Sequence, residues 1–92
     1  MQLKIRYETL LKRAAGVARQ SIDVAETQDV RDIVGELASQ ANNKARSMLV
    51  DAAGNMQPSL LIFVNDCQVN ASDSCPLSDG DEITLMSPIS GG

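Results

Sequence analysis

The sequence predicts an α+β domain in which one sheet of four to five strands is covered on one face by one main helix. Residues 3–7 and residues 82–86 alternate apolar and polar side chains, which is typical of strands with one buried face. Residues 30–41 instead carry apolar side chains at helical spacing. The chain has 92 residues, of which 43% are hydrophobic, and this size favours a single core.

The N-terminal part is predicted to form a strand and then a wide hairpin. Leu3, Ile5 and Tyr7 alternate with charged residues, so their side chains should share the buried face of the sheet. Residues 9–15 are good helix or turn formers, and the alternation resumes over residues 21–24.

The main helix is predicted from a change in hydrophobic period after residue 27. Thr27 is a suitable N-cap, and Asp29 and Asp32 would lie near the first turn, where the helix dipole favours negative charge. The apolar stripe along one face comprises Val30, Ile33, Val34, Leu37, Ala38 and Ala41. Residues 42–58 are mostly small, polar and turn-forming, and they predict a long connector, within which Met48, Leu49 and Val50 could form a short extended or helical patch.

The C-terminal part is predicted to contribute the remaining strands. Residues 60–65 form a run rich in β-branched and aromatic side chains, and residues 68–69 could pair back on it as a short hairpin. In the last strand, residues 82–86, Ile83 and Leu85 should point toward the core.

Composition excludes several classes of function. Eight Lys and Arg against twelve Asp and Glu give a net charge of −4, which argues against nucleic acid as a partner. The absence of His removes histidine triads and histidine zinc sites, and we predict no metal site. Cys67 and Cys75 lack the spacing of redox or zinc motifs. The longest apolar run, residues 60–64, is far shorter than the roughly 20 residues of a membrane helix, and residues 1–10 lack a signal-peptide pattern, so we expect a cytoplasmic protein without a membrane partner.

Three segments carry a resemblance to a known family. They are the terminal block PLSDGDEITLMSPISGG, the strand segment FVND and the helix start TQDVRDIV. Together they resemble the sulfur carriers of molybdopterin and thiazole biosynthesis and the archaeal ubiquitin-like modifiers. The resemblance implies a β-grasp fold with a mixed sheet, in which the first and last strands lie parallel at the centre. It also implies a domain over residues 1–86 and a flexible Gly-Gly tail over residues 87–92.

The resemblance also implies a chemistry for the tail. An E1-like adenylyltransferase would use ATP to adenylate the Gly92 carboxylate, and a sulfurtransferase would supply the sulfur that converts it to a thiocarboxylate. The acceptor would be the molybdopterin synthase large subunit or another sulfur acceptor enzyme. The chain would then be a carrier and not an enzyme, with no bound cofactor. Pro88, Ile89, Ser90 and Gly91 would carry Gly92 into the partner's active site, and the two glycines would let a narrow backbone enter.

Two other functions use the same fold. A ubiquitin-like modifier would be joined to substrate lysines through Gly92, and the sequence does not separate this chemistry from sulfur transfer. A β-grasp adaptor would bind partners through its sheet and use the tail for nothing. In each case we expect Met86, on the outer face of the last strand, and Gln68 to take part in docking.

Overall fold

The computed structural model describes residues 1–25, 28–70 and 75–87. Over these ranges the chain forms five strands and three helices. In chain order they are β1 Gln2–Glu8, α1 Thr9–Ala15, β2 Arg19–Asp23, α2 Val30–Gln40, α3 Asn43–Leu49, β3 Leu61–Val64, β4 Cys67–Val69 and β5 Glu82–Ser87. This order confirms the predicted α+β class, and α2 is the main helix that the sequence predicted.

The five strands form one mixed sheet in the order β2-β1-β5-β3-β4. Strand β1 pairs in parallel with β5, so that Ile5 lies opposite Ile83 and Tyr7 lies opposite Leu85. The other pairings, β1 with β2, β3 with β5 and β3 with β4, are antiparallel. The parallel first and last strands and the short β3–β4 hairpin are therefore confirmed, and β5 is the middle strand.

One face of the sheet packs against the helices and forms the core. Alternate residues of β1 and β5 supply this face, as their sequence periods predicted. Burying one large apolar side chain contributes about 1.5 to 3 kcal/mol, so this packing dominates the stability of the fold. The most deeply buried side chains, each at most 1% exposed, are Leu3, Ile5, Leu11, Ile33, Val34, Leu49, Ile62, Ile83 and Leu85.

Helix α2 begins two residues later than a Thr27 cap would give. Asp29 is the N-cap, and its carboxylate accepts hydrogen bonds from the backbone N–H groups of Arg31 (3.0 Å) and Asp32 (3.4 Å). The Asp32 carboxylate accepts one from the Asp29 N–H at 3.1 Å, which completes a capping box. The expectation of a Thr27 cap was therefore wrong, because Asp29 has an acidic partner three residues onward. Thr27 itself lies outside the described residues.

Helix α1 confirms the helix-forming tendency of residues 9–15. Leu11 and Ala14 are its buried residues. The helix ends at Gly16, whose φ of 80° is the left-handed conformation that favours glycine, and whose N–H donates to the Lys12 carbonyl.

Helix α3 replaces the first part of the predicted connector, residues 42–58. The Asn42 side chain accepts from the Ala45 N–H at 2.9 Å and so caps the helix, while its amide donates to the Ala14 carbonyl of α1 at 2.9 Å. Ala45 and Leu49 are buried one turn apart. The prediction of a connector was wrong for residues 43–49, because a helix this short has only two buried residues, too few to give a visible period; the helical patch considered at Met48 and Leu49 is the end of this helix.

Candidate functional site

The site begins where the central strand β5 ends. Strand β5 runs one residue beyond its predicted end, to Ser87, because Ser87 pairs with Thr9 in an isolated parallel bridge. The Thr9 hydroxyl lies 2.9 Å from the Ser87 carbonyl oxygen. The pairing of β3 with β5 stops earlier, at Leu61 opposite Met86. Ser87, the last described residue, therefore lies on the middle strand of the sheet, beside β1.

The residues predicted to carry the chemistry follow directly. Pro88, Ile89, Ser90, Gly91 and Gly92 lie outside the described residues, and their roles stay predictions. Five residues in extended conformation reach roughly 17 Å at 3.3 to 3.6 Å each. A segment of this length could carry the Gly92 carboxylate well beyond the surface of the domain.

A second feature is an apolar patch on the outer face of the sheet, opposite the core. Leu61 and Phe63 of β3 and Met86 of β5 form this patch, which we call the outer-face patch; Leu61 lies directly opposite Met86. All three are half-buried, and none belongs to the core or packs against it. Adjacent apolar side chains on a solvent-facing sheet are typical of an interaction surface.

Both predicted docking residues lie on this outer face. Gln68 of β4 lies opposite Phe63, and Met86 of β5 lies opposite Leu61. Gln68 and Met86 therefore lie diagonally from each other, on the two sides of β3. Gln68 is exposed. The sequence did not indicate Leu61 and Phe63, because residues 60–64 are apolar without interruption and show no alternation.

The other half of the outer face is charged. Arg6 of β1 lies opposite Arg19 of β2, and Lys4 is the next outward residue on β1. Arg6 also forms an ion pair with Glu8 at 2.6 Å, with the two side chains 40% and 29% exposed. A pair this exposed contributes less than about 1 kcal/mol. Glu82 lies opposite Lys4, and Glu8 lies opposite Met86, so this half carries both signs of charge. The outer face therefore offers a partner an apolar half and a half of mixed charge.

An open groove of about 460 Å3 lies next to the end of β5. It is lined by Glu8, Thr9, Lys12, Arg13, Gly16, Val17 and Ala18. Among the residues that the structure describes, the ion pair found is that of Arg6 with Glu8, so no described carboxylate forms an ion pair with Lys12 or Arg13. The groove thus places two cations close to Thr9, although the chain as a whole has a net charge of −4.

The described residues offer little other reactive chemistry. They contain no group of three or more His, Cys, Asp or Glu side chains that could hold a metal ion. Both thiols are free; Cys67 is exposed and Cys75 is half-buried. Burial raises the pKa of the Tyr7 phenol above its usual value of 10.0, so this side chain stays neutral in the core. None of the helices in ranges 1–25, 28–70 and 75–87 is long and apolar enough to cross a membrane.

The sheet order, the helical layer on one face and a central last strand that pairs in parallel with the first define a ubiquitin-like β-grasp domain. The ThiS family model matches residues 5–92, which is nearly the whole chain and includes the Gly-Gly end. The chain belongs to the ThiS family. This membership confirms the resemblance that the terminal block, the FVND segment and the helix start indicated.

Known relatives agree with this assignment over their full length. The molybdopterin synthase sulfur carrier subunit of Chlamydomonas reinhardtii is 24% identical over 92 residues, covering 100% of both chains. The crystal structure of SAMP1 from Haloferax volcanii has a TM-score of 0.84 at 21% identity, with 100% of both chains covered. A complex of subunits 1 and 2 of the molybdopterin-converting factor from Helicobacter pylori matches with a TM-score of 0.60 at 23% identity, again over 100% of both chains. These solved structures show the shared fold.

Proposed function

We propose that this chain is a sulfur carrier that is adenylated and then thiocarboxylated at Gly92, most specifically as the small subunit of a molybdopterin synthase. The observation that carries the proposal is the family match, which extends through Gly91 and Gly92. The relative from Chlamydomonas reinhardtii, named as a molybdopterin synthase sulfur carrier subunit, supports the pathway. The carrier would act in the cytoplasm.

The proposed chemistry takes place on the tail but in the active sites of partners. A carboxylate is a poor electrophile, so an E1-like adenylyltransferase would let a Gly92 oxygen attack the α-phosphorus of ATP, with pyrophosphate leaving. The outer sulfur of a persulfide on the sulfurtransferase would then attack the acyl carbon and displace AMP, and a thiol would cleave the resulting acyl disulfide, forming a disulfide and releasing the thiocarboxylate. The resulting thiocarboxylate sulfur is anionic at neutral pH and is a strong nucleophile toward the acceptor.

The proposed division of labour assigns docking to the sheet. The outer-face patch would bind each partner in turn, since a single carrier must be recognised by the activating enzyme and by the acceptor. The Helicobacter pylori complex joins two subunits of a molybdopterin-converting factor, which supports a large synthase subunit as one partner. A small domain that presents its tail in this way needs no substrate pocket of its own.

Intact mass tests the proposal. The chain is co-expressed with the cognate adenylyltransferase and a sulfurtransferase, and the mass change that accompanies replacement of one oxygen by sulfur is measured. A variant lacking Gly91 and Gly92 is the control and should show no change. If the full chain never gains the sulfur, the carrier proposal is wrong. If the shortened variant still supports the biosynthetic pathway in cells, the chain is an adaptor instead.

The second candidate is a protein modifier joined to lysines through Gly92. The similarity to SAMP1, whose name stands for small archaeal modifier protein 1, favours this candidate. Trypsin cleaves after Lys and Arg, and the last such residue is Arg46, so the unmodified chain would leave a long remnant on its targets. A Ser90→Arg variant would instead leave only Gly91 and Gly92. Such remnants on cellular lysines, absent from a strain that lacks the activating enzyme, would establish conjugation.

A further inference from the structure

Thr9 adopts a backbone conformation that its residue type disfavours. Its φ is 54°, in the left-handed region that a β-branched residue rarely occupies. Among the described non-glycine residues, Asn65 and Asp66 also have positive φ, but both belong to residue types that tolerate this conformation in turns. A strained residue persists only where its surroundings hold it, and such residues concentrate at functional sites.

The Thr9 hydroxyl is held between two strands. Its oxygen lies 2.8 Å from the Glu8 carbonyl oxygen and 2.9 Å from the Ser87 carbonyl oxygen, so its single proton is shared between them. Threonine near the start of a helix commonly accepts a hydrogen bond from a helical N–H. Here α1 begins without any side-chain cap, and the hydroxyl is directed at the end of β5 instead.

Ser87 depends on this contact more than the rest of β5 does. Met86 is flanked on both sides, by Glu8 of β1 and by Leu61 of β3. The described pairing of Ser87 is with Thr9 alone, on the β1 side. Loss of the Thr9 hydroxyl would therefore leave the backbone bridge as the described restraint on Ser87, without disturbing Met86 and the earlier residues of the strand.

We propose that Thr9 is a positioning residue that holds Ser87 to the sheet and so fixes the point at which residues 88–92 leave the domain. The inference rests on the proposed function, because the segment it positions is the reactive tail. When a partner docks, only the residues after Ser87 then have to become ordered. Because fewer residues must be ordered, a larger fraction of the docked complexes is ready to react. The strained φ of Thr9 is retained because this hydroxyl is needed at this place.

Three substitutions separate the hydroxyl from the backbone strain. Thr9→Val keeps the side-chain shape and removes the hydroxyl. Thr9→Gly removes the hydroxyl and also relieves the strain, because glycine accepts positive φ freely. Thr9→Ser keeps the hydroxyl and should behave like the parent. The matched control is Ser39→Ala, which removes another exposed hydroxyl that lies 2.7 Å from a carbonyl, that of Glu36.

The first measurement uses the isolated protein. Nitrogen-15 relaxation should show a lower order parameter for the Ser87 amide in Thr9→Val and Thr9→Gly than in the parent, with Thr9→Ser and Ser39→Ala unchanged. Thr9→Gly should be at least as stable to denaturant as Thr9→Val, because its backbone is unstrained. A Ser87 amide that is equally ordered in every variant would show that no such restraint exists.

The second measurement uses the adenylyltransferase. Affinity for the enzyme should be the same in all variants, whereas the single-turnover rate of adenylation should fall about threefold to tenfold in Thr9→Val and Thr9→Gly, the range expected for one lost hydrogen bond. A purely structural role would predict a faster reaction in the more stable Thr9→Gly than in Thr9→Val. Equal rates in all variants would overturn the positioning role. If the parent itself is not adenylated, the proposed function fails and the positioning role falls with it, while the Ser87 relaxation data still report whether the restraint exists.

Discussion

The side-chain amide of Asn65 donates a hydrogen bond to the Asp81 carboxylate at 2.8 Å and ties the β3–β4 turn to the start of β5. The side-chain oxygen Oδ1 of Asn65 accepts from the Glu82 N–H at 3.0 Å, and the Asn65 backbone N–H donates to the Glu82 backbone carbonyl at 2.9 Å. Asn65 therefore extends the β3–β5 pairing beyond the last strand residue, with a φ of 49° that asparagine tolerates. The turn at the end of the FVND segment therefore depends on the asparagine of that segment, Asn65.

Asn65→Ala should destabilise the fold by about 1.5 to 3 kcal/mol, because it removes two side-chain hydrogen bonds and places alanine in a left-handed conformation. Chemical denaturation measures the loss. Asn65→Gly removes the same bonds but suits the backbone, so its loss should be smaller. If Asn65→Gly proved as destabilising as Asn65→Ala, backbone conformation would not contribute at this position.

Asn42 joins two helices and offers a second test. Asn42→Ser should keep the cap on α3 but lose the bond to the Ala14 carbonyl, at a cost of about 1 kcal/mol. Asn42→Ala loses both contacts and should cost about 1.5 to 3 kcal/mol. Thermal and denaturant unfolding measure these differences. The neighbouring exposed Asn43→Ala is the control, and an equal loss there would show that capping is not the cause.

Most of the elements that the sequence predicted are those whose burial is periodic, whereas β3 was predicted from its run of β-branched and aromatic residues. In β1, α2 and β5 one face meets the core over most of the element, so the apolar residues repeat at the spacing of a strand or a helix. Helix α3 escaped prediction because Asn42 stabilises it through a contact with α1, a partner 28 residues distant in sequence. Contacts of that kind leave no local signal.

The features of the candidate site also divide into those that the sequence could predict and those that it could not. The outward direction of Met86 could be predicted, because it follows from strand alternation, whereas the role of Gly91-Gly92 rests on a motif and stays a prediction. The outer-face patch needed the register of β3 with β5, which the uninterrupted apolar run of residues 60–64 does not specify. Thr9 could not be predicted at all, since its residue type argues against its observed conformation.

Tyr7 should make stability fall at alkaline pH. Burial raises its pKa above 10.0 in the folded state, so above about pH 10 the unfolded chain releases the phenol proton while the fold retains it. The unfolded state is then favoured, and the contribution of Tyr7 to stability, complete below pH 10, should fall by up to about 1.4 kcal/mol per pH unit until its folded-state pKa is reached. Tyr7 is the only tyrosine and there is no tryptophan, so tyrosinate absorbance follows this group alone.

Tyr7→Phe provides the reference for that measurement, because lysines also titrate in this range. The unfolding free energy of the parent, relative to that of Tyr7→Phe, should be constant below pH 10 and should fall above it. A difference that stays constant to pH 11 and beyond would mean that the phenol titrates alike in both states.

Met86→Asp should weaken complex formation with the adenylyltransferase about tenfold or more, because burial of a methionine side chain contributes roughly 1.5 to 3 kcal/mol. Isothermal titration measures the affinity, and circular dichroism verifies that the variant folds. Val17→Asp is the matched control, since Val17 is 45% exposed and lies in the groove rather than on the outer sheet face. Equal affinities for the parent and Met86→Asp would remove the outer-face patch from docking.

Extending the chain by one alanine after Gly92 should leave docking nearly unchanged and abolish adenylation. The extra residue moves the terminal carboxylate by about 3.3 to 3.6 Å from the ATP α-phosphate and adds a methyl group where the partner would accept glycine. A one-glycine extension separates the two causes, because it moves the carboxylate without adding a methyl. Isothermal titration reports docking and pyrophosphate release reports adenylation. Normal adenylation of the alanine-extended chain would contradict a reaction that depends on the position of the carboxylate.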